Sequence, residues 1–371
     1  MNFRLVIVDT KDLENEFIDL PKKLYKSDPK YIMALDNDIK EVFDKNKNPY
    51  FKKGECIRWL AMDENNQAIG RISAFYTENS LTKFRSGACG FFECIYQQDI
   101  ANSLFDACKK WLIEKQCTFM DGPINFGERD SFWGLMVSGF ESPSYRENYN
   151  FPYYQQLFEN FGFISKIDQT TSMIDDKTFN FDRFSKLASR VFNNPTYTFQ
   201  HIQKNNLEKF AIDFIEIYNK AWSFHENFEP MTLDKIMGHL KLMKPIIVEN
   251  LNWFCYANGK PIGFYITVMD VNQIFKHVNG KMNLLGKLKF LYYKRFIQRV
   301  KGIVFGVVPE YHNLGVEVAL IMKFREGLIE GKKFHENELA WVGDFNPKML
   351  SMFESMGARE YKKHKTYTLK F

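Results

Sequence analysis

Across residues 304–357 the apolar positions change period four times. Val304-Phe305-Gly306-Val307-Val308 is an unbroken apolar run stopped by Pro309, as expected of a buried strand. Then come Glu310-Tyr311-His312-Asn313-Leu314-Gly315-Val316-Glu317 and a three-to-four spacing that predicts a helix to about residue 333. Glu338-Leu339-Ala340-Trp341-Val342 reads as a second strand, and Asp344-Phe345-Asn346-Pro347 opens a helix over 347–356 that Gly357 stops. A strand leading through a glycine turn into a helix gathers free backbone N–H groups at one point. That arrangement suits a phosphate-bearing cofactor.

The first half has its own series. Residues 1–9 read as a strand ending in an acid, and 11–25 as a helix in which Pro21 is expected to kink or split the chain. Residues 58–62 and 68–76 flank the polar turn 63–67 as an antiparallel hairpin. A strand at 90–93, a helix over about 100–114 and a strand at 118–123 follow. After a long loop over 128–150, a helix over 152–160 ends at Gly162, and a strand covers 163–173. A helix at 181–192 links this series to a second one, which opens with a strand at 197–202 and helices over 207–222 and from Thr232.

The two series match in order. Trp59 and Gly70 recur as Trp253 and Gly263, 111–114 as 327–330, Asn125 as Asn346, and 158–163 as 353–358. Two domains, 1–192 and 193–371, follow from this, and a length of 371 residues agrees.

Composition narrows the function classes. Hydrophobic residues make up 45% and charged residues 26%, as in ordinary globular domains, and no apolar run approaches membrane-spanning length. A net charge of +5 admits anionic ligands without calling for DNA. Six cysteines without a CxxC pair are read as buried thiols in a cytoplasmic protein, and seven scattered histidines give no metal motif.

The repeated order of elements, and residues 307–317 in particular, resemble the GNAT superfamily of acyl-CoA-dependent N-acyltransferases. In that family an apolar strand leads through Arg/Gln-x-x-Gly-x-Gly/Ala into a long helix whose N–H groups hold the CoA pyrophosphate. Here the six positions read His312-Asn313-Leu314-Gly315-Val316-Glu317. The central glycine is kept, His312 stands for the Arg or Gln, and Glu317 for the last small residue. The resemblance implies an α/β (mixed α+β) fold of two tandem domains, each a mainly antiparallel sheet flanked by helices. It implies one acyl-CoA site (acetyl-CoA or another acyl-CoA as co-substrate, no metal) in the second domain, at Val307, Val308, His312, Asn313, Leu314, Gly315, Val316 and Asn346. The first domain, running Glu-Cys-Ile-Tyr-Gln-Gln-Asp over 93–99, lacks the glycine loop.

The tyrosine that often acts as general acid in the family is Phe353 here, and neither it nor Phe158 can donate a proton. Asp344 and Tyr367 are the remaining candidates for proton transfer. For an acceptor, a small-molecule or peptide amine, the turn over 121–127 offers Asn125, the residues 129–154 after it offer Arg146, Tyr149 and Tyr153, and Glu93 ends a strand where it can meet an amine. Residues 276–301 are strongly basic, with leucines interleaved; such a stretch can meet a membrane surface, a carrier protein or the phosphates of CoA, but a helix packed by its apolar face, its lysines in water, is the expected arrangement. The leading function is acyl transfer from acyl-CoA to an amine. Two other readings remain: an aminoacyl-tRNA-dependent transferase, against which the small net charge argues, and a tandem-domain ligand binder without turnover.

Overall fold

A computed structural model describes residues 2–175, 177–223 and 230–371. The first series comprises β1 (Phe3–Ile7), α1 (Lys11–Leu24), α2 (Asp36–Phe43), β2 (Gly54–Asp63), β3 (Ala68–Glu78), β4 (Arg85–Cys94), α3 (Gln98–Glu114), β5 (Phe119–Gly122), β6 (Leu135–Ser138), α4 (Tyr154–Phe161) and β7 (Ile164–Asp175). Helix α5 (Phe181–Phe192) connects it to β8 (Tyr197–His201), α6 (Leu207–Trp222), α7 (Leu233–Met243), β9 (Trp253–Ala257), β10 (Lys260–Met269), α8 (Asn272–Phe275) and α9 (Leu284–Tyr293). The chain ends with β11 (Arg299–Val307), α10 (Val316–Gly331), β12 (Glu336–Glu338), β13 (Val342–Gly343), α11 (Pro347–Ser355) and β14 (Arg359–Lys370).

All strands join one mixed, mostly antiparallel sheet in the order β1-β2-β3-β4-β5-β14-β7-β12-β11-β10-β9-β8, with β6 on β14 and β13 on β7. Among the described residues only β4–β5 and β11–β12 pair parallel. The last strand of each series pairs with the other series: β14 lies against β5, β7 lies against β12, and β7 and β14 pair with each other. The two halves therefore share one hydrogen-bonded middle.

The matched positions show why the order repeats. A Cβ on Gly70 would come within 2.9 Å of Leu104, and one on Gly263 within 3.1 Å of Leu320, so both glycines let the long helix of their series settle on the sheet. Gly162 and Gly357 have φ of +106° and +91° where α4 and α11 end. The Asn125–Asn346 match fails. Asn125 follows β5, whereas Asn346 follows β13 and accepts from Met349 N at 3.2 Å as the N-cap of α11.

Two local expectations are corrected. Of the kink or split expected at Pro21, the split does not occur, since helix α1 is continuous through it; the Phe17 carbonyl that the proline leaves unpaired accepts a hydrogen bond from buried Arg71 instead. The single strand expected at 338–342 is two short ones, β12 and β13, because 339–341 leave β11 and only Val342–Gly343 rejoin the sheet, on β7.

Candidate functional site

Strands β11 and β12 pair only from Arg299–Glu336 to Lys301–Glu338. Beyond that point β11 continues to Val307 while the other chain turns away towards β7, so the sheet opens. Behind the opening is a small apolar cavity of about 30 Å³ between Gly302, Val304, Leu339 and Ala340, closed by Met352, Phe353 and Met356. In front is an open cleft of about 640 Å³ that shares Phe305 and Met352 with the cavity and extends to the start of α10.

At that start Gly315 has φ +88° and Asn313 φ +63°, and the first helical bond runs from Ala319 N to the Gly315 carbonyl. The N–H groups of Val316, Glu317 and Val318 precede that bond, in the turn where helical donors lack intrahelical partners. Val307, His312, Asn313, Leu314, Gly315 and Asn346 line the cleft. Val308 and Val316 do not: their side chains are buried, and Val308 N donates to Ile262 O at 2.9 Å. The His312 ring holds the turn, its Nε2 2.8 Å from the Val307 carbonyl.

Two cations border the same cleft, Arg190 from α5 and Lys348 from the first turn of α11. Sequence reasoning missed both, since it treated α5 as a connector. In fact α5 packs on α10 through Ala188 and Val191, next to Gly315. Glu317 also lines the cleft, so its carboxylate opposes any anion bound there. Replacing Glu317 by Gln is expected to tighten CoA binding about three- to tenfold, the size of one charge repulsion in a wet cleft. Titration calorimetry of the two proteins checks this, and an unchanged affinity would place the bound phosphates elsewhere.

The other sequence candidates lie apart from this cleft. Asp344 is exposed beyond β13, its N–H donating to Asp168 O at 2.9 Å. Tyr367 is 1% exposed on β14, and its hydroxyl donates to Glu159 at 2.9 Å. In the first half, Glu93 is buried and accepts from the Tyr25 and Tyr154 hydroxyls at 2.7 and 2.8 Å; burial raises its pKa despite nearby Arg71. Glu93 and Tyr149 line a small chamber of about 70 Å³ together with Arg71, Tyr31 and Glu147. Arg146 pairs with Asp38 at 2.8 Å, Tyr149 donates to Asp28 at 2.6 Å, and Tyr153 donates to the Cys94 carbonyl at 2.7 Å. Asn125 donates weakly to Glu128 O at 3.4 Å, and its buried Oδ1 has no hydrogen-bond partner among the described residues.

A buried charge cluster in the shared middle of the sheet went unforeseen. Lys362 of β14 sits 2.5 Å from Glu147 and 2.9 Å from Glu338 of β12, and Lys301 of β11 is 2.5 Å from Glu338. Ser144 donates to Glu338 at 2.7 Å. Beside them His364 is wholly buried against Trp133, its Nδ1 4.0 Å from Glu147. The sequence signal was period-two: Lys362, His364 and Thr366 share one strand face, and that face is buried.

Burial pushes His364 down to about 4 from an ordinary 6.5, so the folded state holds it neutral while the unfolded chain takes up a proton. Its contribution to stability therefore falls as pH drops from about 6.5 to about 4, by about 3 kcal/mol at most. Asp270, which burial and the nearby Glu338 push up to about 6, works in the opposite direction below that pH. The stability difference between the wild type and His364→Gln, measured by urea unfolding, is expected to shrink steadily over that window. A constant difference would show that His364 does not titrate this way.

Among the described residues no group of three or more His, Cys, Asp or Glu side chains is placed to hold a metal ion, and no helix is long and apolar enough to cross a membrane. No family model matches the chain. The whole chain superposes on a tandem GNAT protein from the clavulanic acid biosynthesis pathway with a TM-score of 0.58, at 10% identity, covering 100% of this chain and 98% of that one. The fold is that of a tandem GNAT protein. By sequence, the chain is 24% identical over 367 residues to the bacterial ceramide synthase of Caulobacter vibrioides (strain NA1000 / CB15N), covering 95% of this chain and 93% of that protein. It is also 24% identical over 365 residues to protein YghO of Escherichia coli (strain K12), covering 95% and 91%.

Proposed function

We propose that this protein transfers an acyl group from acyl-CoA to the nitrogen of a long-chain amine. One observation carries the reading: β11 and β12 part beside a helix start led by a glycine, so that an anion site and an apolar cavity adjoin through Phe305 and Met352. In this reading the N–H groups opening α10, with Arg190 and Lys348, hold the phosphates of acyl-CoA, and the acyl chain enters between Met352 and Phe353. At about 30 Å³ the cavity as it stands has room for about one water, so even a short acyl group has to widen it. A longer one needs Met352 and Met356 to move, which unbranched side chains do readily.

The amine nitrogen attacks the thioester carbonyl; a C–N bond forms, the C–S bond breaks, and CoA leaves as the thiol with the proton that the amine gives up. Phe353 supplies no acid, so this chain's contribution is orientation and exclusion of water. The acceptor is suggested by the Caulobacter relative. A ceramide is the amide of a fatty acid and a long-chain amino alcohol, which makes a sphingoid-type amine the first acceptor to try. Purified protein is expected to release CoA thiol and form the amide from long-chain acyl-CoA and sphinganine, read by mass spectrometry. CoA binding without amide from any of several acyl lengths, sphinganine and polyamines would instead make it a ligand binder.

A further inference from the structure

Helix α9 is built the wrong way round for a surface helix. Its inward positions are Gly286, buried, and Phe290 and Tyr293, half-buried. Turned to solvent are Leu284, Leu285, Leu288 and Leu291, 75%, 67%, 56% and 69% exposed, with Tyr292 and, just beyond the helix, Phe296. At about 100° per residue these leucines occupy the face opposite the core, with Lys287 and Lys289 on the two shoulders. Residues 276–301 contain no Asp or Glu, and Lys276, Lys281, Lys294 and Arg295 complete a basic border. Leu242 of α7, 83% exposed, lies three residues before Pro245, whose carbonyl Lys294 holds. A cleft of about 840 Å³ beside α9 collects Lys26, Lys276, Lys281 and Lys289, with Asp19 and Asp28 on its far wall.

We propose that α9 docks this protein on the surface of a bilayer containing anionic phospholipids. The leucines enter the boundary between head groups and acyl chains, and the lysines and Arg295 meet the phosphates. A monotopic helix needs these two features together: an apolar face without polar groups and a cationic border level with the head groups. Arg295 already lies over the rings of Tyr292 and Phe296, at 4.1 and 5.0 Å, a pairing suited to the interfacial layer. The leucines are flexible, unpatterned anchors, unlike the aromatic and arginine pockets that dominate protein interfaces. This inference is read from α9 and its basic border and does not depend on the transfer reaction proposed above.

Vesicle flotation tests it. The full chain is expected to float with vesicles of phosphatidylcholine and phosphatidylglycerol, less with phosphatidylcholine alone, and to be released by high salt. Leu288→Glu/Leu291→Glu should lower binding at least tenfold. Lys287→Gln and Arg295→Gln should each lower binding to anionic vesicles about fivefold, one surface charge apiece. All these side chains are exposed, so thermal unfolding and any CoA-induced stabilisation should match the wild type, which keeps this test separate from that of the reaction. Failure of the wild type to float, or flotation of the leucine variant equal to the wild type, would overturn the proposal. So would a dimer in sedimentation that the leucine variant breaks while vesicles bind neither, since α9 would then be a protein interface.

Discussion

Gly315→Asp is expected to abolish CoA binding while leaving the protein folded. The position has φ +88°, and a Cβ there would stand 3.1 Å from Val191 Cγ2. Aspartate tolerates positive φ better than most residues, so the strain costs only about 1 kcal/mol. The carboxylate, by contrast, would stand among the N–H groups that open α10, where a pyrophosphate must lie. A charge about 5 Å from a doubly charged anion costs about 3 kcal/mol even at an effective dielectric of about 40, midway between a protein surface and water, which is at least roughly a hundredfold in affinity. Thermal unfolding with and without CoA separates the two effects, because a ligand present at about a hundred times its Kd stabilises the fold by about 2.7 kcal/mol. A CoA-induced rise in Tm in the wild type that is lost in the variant is the expected result. An equal rise in both would remove Gly315 from the binding site.

What could be read from the sequence is what local patterns decide. The β2–β3 hairpin, the long helices α3 and α10, and the glycine stops at Gly162 and Gly357 follow from periodicity and capping, which act over a few residues. The tandem order followed from comparing the two series. Choice of strand partner is not local. Nothing within β7 or β14 says that each pairs across to the other series, so the exchange at the middle of the sheet was invisible. For the same reason α5 passed for a connector, although Arg190 and Val191 reach the start of α10. Helix α9 fails differently: a helix that is largely apolar all round does not reveal which face the core takes. The expected arrangement, leucines packed and lysines in water, put the wrong side inward; Phe290 and Tyr293 took the core and the leucines stayed outside.

Lys362→Met is expected to be the most destabilising single change, because it removes the cation at which the two series meet. Glu147 comes from the first series and Glu338 from the second, and both are buried against the Lys362 ammonium. Burial alone would raise both carboxyls. Lys362 and Lys301 outweigh it and hold Glu147 and Glu338 below the ordinary range, while the two carboxylates hold Lys362 above its own. With methionine at 362, Glu338 keeps Lys301 at 2.5 Å and Arg299 at 3.6 Å, but Glu147 keeps no cation in contact, only the Ser144 N–H at 2.6 Å and buried, neutral His364 at 4.0 Å. Removing one partner from such a group costs about 3–5 kcal/mol, since the remaining charge stays buried without compensation. The sign of the pH dependence follows from the two depressed carboxyls. Their stabilising effect is complete above the unfolded value of about 4.5 and is lost as pH falls below it. In the variant Glu147 gains by taking up a proton, so the deficit relative to wild type should narrow on acidification. Urea unfolding at pH 7 and pH 5 measures both quantities. Adding Glu147→Gln to Lys362→Met should restore about 2 kcal/mol, the part due to the stranded carboxylate. If the single variant matched the wild type, or the double variant recovered nothing, the cluster would not be what fastens the two series together.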